Sequence, residues 1–344
     1  MAQIRKNLRI SISLIFGIFI LWVTFHHADI RLFYHNLKEL NWLWVTLSFL
    51  CAMASYICIA GVLQSLLTAL HYYLKPVDVF NIALVSTVAN YALNIGGISG
   101  LAIKIYLLSR RKILPSHTLS LSLIHGFFTN TIAVFFIFAG FTVFYSHYSF
   151  GMAKKDILIW IAWVVIAALM ATFIWMGFFI VNASVRFATL NFLMRLYHRV
   201  STRIKLLARK AELLESTFEN FNKSMDLVVK NIRQILYASL YALADWIFMF
   251  ACLKTSFLAV HCPAKLGILA IGFCVSLFTS IIAIIPGGLG IMEGSMVSIF
   301  YLLGLEYEKS LVAVLIYRVL YYLVPMIIGG LIFLSELSNF RKSG

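Results

Sequence analysis

The chain has 344 residues, of which 62% are apolar and only 12% charged, with a net charge of +15. A soluble globule carries roughly a quarter charged residues, so this composition excludes one and makes the lipid bilayer the solvent. The excess Lys and Arg lies beside apolar stretches and within no nucleic-acid-binding motif, which points to membrane topology and anionic lipid and away from nucleic acid.

Eight apolar stretches follow one another along the chain: residues 8–25, 41–70, 77–95, 115–145, 156–181, 232–257, 264–285 and 310–334. Backbone groups in lipid must bond within their own segment, and the period-2 alternation of a membrane barrel is absent, so the expected fold is an all-α polytopic membrane protein. The first stretch starts with Arg5, Lys6 and Arg9 like a secretory signal. Its apolar run is too long, however, and ends at Phe25, His26 and His27 without a small-residue cleavage site, so it reads as a retained anchor. A single transmembrane domain spans 1–344: an anchor helix and external loop over 1–40, repeat A over 41–145, a connecting span and basic amphipathic segment over 146–231, repeat B over 232–334, and a cytoplasmic tail over 335–344.

The repeats are visible as matched starts: 232 follows 41 by 191 residues, 264 follows 77 by 187, 287 follows 96 by 191 and 310 follows 115 by 195. Each half reads as a long helix, a shorter apolar helix, a glycine break, a short helix and another long helix. The breaks contain Gly96, Gly97 and Gly100 in the first half, and Pro286, Gly287, Gly288 and Gly290 in the second. Paired glycines in membrane helices commonly allow close packing. A proline with three glycines in five residues instead removes a backbone donor and admits positive φ, which interrupts a helix, and broken helices at membrane depth belong in protein or beside water.

Treating both breaks as re-entrant hairpins leaves six full spans and puts nineteen of the 28 Lys and Arg residues on one side, including ten between 186 and 233, and seven on the other. This asymmetry places both termini in the cytoplasm. Eight complete crossings would also place both ends inside. With hairpins entering from opposite faces the halves form an inverted repeat, the plan of many carriers that expose one central site alternately to each side. In the long polar segment 182–233, Leu193, Leu196, Val200, Ile204, Leu207, Leu214 and Phe218 recur at helical spacing, as expected of an amphipathic helix on the cytoplasmic surface.

Five ionisable side chains fall deep in the apolar pattern: Lys104, His125, Asp245, Glu293 and Arg318. Each costs about 2.5–3.5 kcal/mol facing lipid alone, so they should face one another or water. One reading is a packing network, with Arg318 paired to Glu293 or Asp245. The other is a site for a phosphate or similar anion, with Lys104 and Arg318 near the N-termini of short helices and the carboxylates serving charge balance, a cationic group or a proton. Cys51, Cys58, Cys252, Cys262 and Cys274 lie in no metal-ligand spacing and read as packing residues, so no metal or cofactor is expected.

The run PGGLGIMEG at 286–294, followed by YRVLYYLVP at 317–325, resembles the lysylphosphatidylglycerol synthase transmembrane, or flippase-like, family of bacteria and archaea; the resemblance covers nearly the whole chain. The run GGISGLAIKIYLL at 96–108 looks like that family's first glycine motif, with Lys104 at the expected basic position. Many relatives carry an acid where this chain has Leu101, and an acidic-basic pair where it has His125 and Gly126, so a shared proton-coupling scheme is not implied.

In two-domain relatives the membrane region moves an aminoacylated phospholipid that a separate domain makes. With no room for such a domain, the resemblance implies translocation without synthesis. The expected substrate-binding set is Gly96, Gly97, Lys104, His125, Asp245, Pro286, Gly287, Gly288, Gly290, Glu293 and Arg318, with no catalytic residue. The expected activity is movement of an anionic, aminoacylated or glycosylated lipid across a bacterial inner membrane. The alternative is an intramembrane enzyme, or an accessory subunit beside a biosynthetic enzyme, in lipid-linked aminoacyl or glycosyl transfer.

Overall fold

A computed structural model describes residues 17, 19–93, 97–148, 156–201, 211–282 and 286–342; every regular element among them is helical. Residues 19–26 are helical and lead into α1 (Ile30–Lys38), α2 (Trp42–Ala69), α3 (Pro76–Leu93), α4 (Ile98–Ser109), α5 (Pro115–Tyr148), α6 (Asp156–Val181), α7 (Ala183–Ser201), α8 (Ala211–Lys230), α9 (Ile232–Ala259), α10 (Leu266–Ile282), α11 (Ile291–Leu302), α12 (Tyr307–Arg318) and α13 (Val324–Lys342). A 3₁₀ turn, Pro286–Gly288, precedes α11, and a π turn, Val319–Leu323, joins α12 to α13.

Among the described residues, six helical stretches are long and apolar enough to cross a membrane: Trp42–Ala69, Pro76–Leu93, Pro115–Thr142, Trp163–Val181, Ile232–Ala259 and Tyr307–Ser338. Three apolar helices are shorter: Ile98–Ser109, Leu266–Leu277 and Ile291–Leu302. Their membership differs from the six spans read from sequence. The 18 residues of Pro76–Leu93 suffice for a crossing, whereas most of the 8–25 anchor lies outside the described residues.

The duplication recurs in the backbone. α2 and α9, each 28 residues long, end in the same turn, with His71 (φ 61) and His261 (φ 54) left-handed and Tyr72 and Cys262 donating back to the carbonyls of Leu67 and Phe257, both at 3.0 Å. Lys112 (φ 61) and Gly304 (φ 87) close α4 and α11 alike, with Ile113 and Leu305 donating to Leu108 and Phe300 at 3.1 and 3.0 Å. These six-to-one bonds satisfy carbonyls that a helix end leaves orphaned. A left-handed residue bearing a β-carbon costs about 1–2 kcal/mol, so three such positions at matched places mark specified turns.

α2 and α9 form the central pair. Asn41 N–H donates to the Ala259 carbonyl at 2.9 Å, Ser48 Oγ to the Cys252 carbonyl at 2.9 Å, and Ser55 Oγ to Asp245. Partner numbers fall as these rise, so the two helices run antiparallel. Ser48, Ala52 and Ser55 are buried, and small side chains let the two backbones approach.

Around this pair sit two apolar cores. One, with Leu63, Leu66, Ile82 and Val85, extends to Met225 and Val228 of α8; the other joins Trp246, Phe257, Phe273 and Phe300 to Val312. The polar segment 182–233 contributes to the first core, while Ile204 and Leu207 of its expected amphipathic face lie outside the described residues. Within its described residues it forms two helices, and α8 buries Phe221, Met225 and Val228 against the bundle. Arg186 of α7, 1% exposed, pins them: Nε donates to Asn222 Oδ1 at 2.8 Å, Nη1 to the Ile180 carbonyl at 2.8 Å, and Nη2 pairs with Asp226.

Candidate functional site

The structure divides the five intramembrane ionisable side chains into two groups. The first is a closed latch at the second glycine break. Gly287, Gly288 and Gly290 all have positive φ (68, 61 and 81), conformations that favour glycine, and the turn they make re-aims the chain from α10 into α11. At Gly290 a β-carbon would also run into the Gly17 carbonyl, because the N-terminal helical segment packs on the turn.

Glu293, in the first turn of α11, accepts from Gly290 N–H through Oε2 at 2.8 Å, while its Oε1 accepts from Arg318 Nε at 2.5 Å. Arg318 Nη2 donates to the Gly287 carbonyl at 2.6 Å, and the guanidinium lies 4.3 Å from the Tyr322 ring centroid. With 4% and 7% exposure, both charges are out of water and offset each other. Of the partners open to Arg318 in the sequence, the structure chooses Glu293.

Pro325 explains the neighbouring π turn. Lacking an N–H, it leaves the Tyr321 carbonyl without its helical donor, and the Tyr56 hydroxyl supplies one at 3.0 Å. The five-residue turn puts Tyr317, Tyr321 and Tyr322 in one aromatic cluster with Tyr91.

The second group lines a cavity of about 680 Å³ between α3, α4, α5, α8 and α9. Lys104, His125 and Asp245 all face it, beside Gly97 at the first break (φ 85); Gly96 lies outside the described residues. Asp245 accepts from Ser55, whose hydroxyl also lies 2.8 Å from Tyr321 Oη. Lys104 is half-buried and, among the described residues, donates to no hydrogen-bond or ion-pair partner. Ser122 Oγ in the same wall is buried and, among the described residues, unbonded. An ammonium, a hydroxyl and a carboxylate that are not paired together, in a chamber with apolar residues such as Leu101 and Phe221, suit a ligand with a charged polar head.

Asn90, Ser55, Tyr56 and Ser122 were not singled out in the sequence. Asn90 has a structural task there. Gly97 has no side chain to cap α4, so Asn90 Oδ1 on α3 accepts from Gly100 N–H at 2.6 Å in its place. An amide shortly before a glycine break in an apolar helix is the signal that would have found it.

Among the described residues, apolar stretches of spanning length, helices interrupted at glycine breaks and ionisable groups enclosed among them define a multi-pass integral membrane protein. Residues 10–329 match the family of the lysylphosphatidylglycerol synthase TM region, and the chain belongs to that family. It is also 28% identical over 109 residues to a UPF0104 membrane protein of Methanothermobacter thermautotrophicus; the match spans 32% of this chain and 31% of that relative.

Proposed function

We propose that this protein is a lipid translocase that moves an anionic, aminoacylated or glycosylated lipid between leaflets, its polar head passing through the cavity at Lys104 while its tails stay in the bilayer. The observation that carries this reading is Lys104 itself, a cation without a partner among the described residues in a chamber enclosed by apolar helices. Leaving a half-buried cation unpaired among apolar helices is costly, and an anionic head group supplies both the missing charge and the hydrogen-bond acceptors. Ile98, an apolar side chain in the cavity wall, is exposed, and on this reading acyl chains lie on its side.

The antiparallel packing of α2 on α9 supports an inverted repeat. Ser55 and Asp245 are 190 residues apart, the spacing of His71 and His261, and they bond to each other. Two equivalent positions meet face to face only at an axis relating the halves, so the axis runs beside the Asp245 edge of the cavity. On this reading the related halves expose one central site alternately to each side, as carriers built from inverted repeats do. The basic segment 182–233 puts both ends of the chain in the cytoplasm on this reading.

The test is leaflet exchange of head-group-labelled lipids in reconstituted vesicles. Exchange above that of empty vesicles for at least one anionic or glycosylated lipid is expected; empty-vesicle rates across the whole panel would refute the reading.

A further inference from the structure

The nine residues of α1 form a regular helix, yet none of them is buried. Ile30, Phe33, Tyr34 and Leu37 recur at helical spacing and make one apolar face, with Leu32 the one apolar residue off it; Arg31, His35 and Lys38 line another. Phe33 is half-buried and packs on the second core, meeting Phe25 edge to face at 5.7 Å. The rest of the apolar face has no such cover: Ile30, Tyr34 and Leu37 are 66%, 60% and 36% exposed.

Hydrogen bonds fix where that face lies. At one end of α1, Asp29 N–H donates to Oε1 of Glu308, in the first turn of α12, at 3.2 Å. At the other end the Glu39 carbonyl lies 3.0 Å from Nε2 of His261, just past α9, and Asn41 N–H donates to the carbonyl of Ala259, the last residue of α9, as α2 begins. The stretches Trp42–Ala69, Ile232–Ala259 and Tyr307–Ser338 are of spanning length, so both ends of α1 are tied where spans begin or end. A nine-residue helix is about 14 Å long, and with both ends at that level its axis runs along the membrane surface. At the same level stand Trp42, 70% exposed, and Tyr301, 59% exposed with its ring 5.8 Å from that of Tyr307. Such aromatics favour the boundary between head groups and acyl chains.

We propose that α1 is an interfacial helix that embeds Ile30, Tyr34 and Leu37 between the head groups and acyl chains of a phospholipid leaflet, and so fixes the depth of the bundle at this face. The inference does not depend on lipid translocation. A helix of this kind lies in the membrane plane with its apolar face about 5–10 Å deep, while Arg31 and Lys38 reach up to phosphates along their flexible stems. Asp29 and Glu39 balance those two cations, and His35 lies 3.3 Å from Glu39, so apolar burial and not net charge holds the helix down. Through Phe33 and Phe25 the embedded helix also seats the N-terminal helical segment, whose Gly17 carbonyl lies against Gly290.

The test is spin labelling of Ile30→Cys, Arg31→Cys, Tyr34→Cys, His35→Cys and Leu37→Cys one at a time, with the five native cysteines replaced by Ala. Each labelled chain is placed in vesicles of phosphatidylcholine, and in vesicles of phosphatidylcholine mixed with phosphatidylglycerol. Collisions with oxygen, which concentrates in lipid, and with a water-soluble nickel chelate read each label's surroundings. All these positions are exposed and lie clear of Phe33 and of the bonds at either end, so the labels leave the helix seated. Labels at 30, 34 and 37 are expected to meet the nickel chelate about fivefold less than labels at 31 and 35, with oxygen favoured, and alike in both vesicles. Equal nickel collisions at every position would overturn the proposal. A pattern seen only with phosphatidylglycerol would overturn it too, since the contact would then be electrostatic. Labels at 30, 34 and 37 screened from both reagents would put a second copy of the chain on this face in place of lipid.

Discussion

Lys104 and Arg318 are both cations inside an apolar bundle, yet their surroundings make them opposites. Arg318 has Glu293, the Gly287 carbonyl and the Tyr322 ring, and removing one partner of such a pair strands the other. Arg318→Ala or Glu293→Ala is therefore expected to cost about 3–5 kcal/mol, read as a lower melting temperature of the detergent-solubilised protein. The double variant Glu293→Gln with Arg318→Met should recover much of that loss; a double as unstable as the worse single would contradict the pairing. Lys104→Gln removes a charge that has no partner among the described residues, so the melting temperature should hold or rise, and a large fall would mean the ammonium is structurally engaged. All five ionisable groups were legible in the sequence, because charges in apolar runs stand out. Their partition into latch and cavity was not. Glu293 and Arg318 lie on different helices, and which carboxylate meets which cation depends on how those helices pack.

The long helices, both short helices after the breaks and the glycine interruption at 286–290 follow from apolar length and from Pro and Gly chemistry. The π turn at Val319–Leu323 does not, since Pro325 signals only that a donor is missing and not how the chain absorbs its loss. Tyr56 answers the orphaned Tyr321 carbonyl from another helix. Tyr56→Phe should accordingly cost about 1–3 kcal/mol, the range for a buried acceptor left unsatisfied. Pro325→Ala restores the N–H, so the same Tyr56→Phe change made in that background should cost clearly less; equal costs in a double-mutant cycle would show that the hydroxyl acts elsewhere. The segment 182–233 reads as one amphipathic helix in the sequence, whereas its described residues form two, and α8 turns Phe221, Met225 and Val228 into the bundle, a distinction that hydrophobic spacing alone does not contain.

At the scale of the molecule, the offset near 190 residues was visible in segment starts and glycine breaks, and the matched left-handed turns at His71 and His261, and at Lys112 and Gly304, repeat it in the backbone. The relative direction of the halves needed contacts, because any packing of two similar halves preserves the same offset. Ser48 Oγ lies 3.3 Å from Cys252 Sγ in the antiparallel register. Ser48→Cys should therefore form an intramolecular disulfide with Cys252 under a membrane-permeable oxidant, identified by peptide mass; a disulfide from position 48 to Cys262 instead would contradict that register.

The measurement nearest the central claim is exchange of a head-group-labelled anionic phospholipid between leaflets of vesicles that hold the wild type, Lys104→Gln, or the exposed-site control Glu306→Gln. Charged hydrogen bonds are worth about 1.5–3 kcal/mol, so loss of Lys104 should slow exchange about ten- to a hundredfold while the control matches wild type. Exchange by Lys104→Gln at the wild-type rate would contradict a cavity whose Lys104 ammonium receives the lipid head.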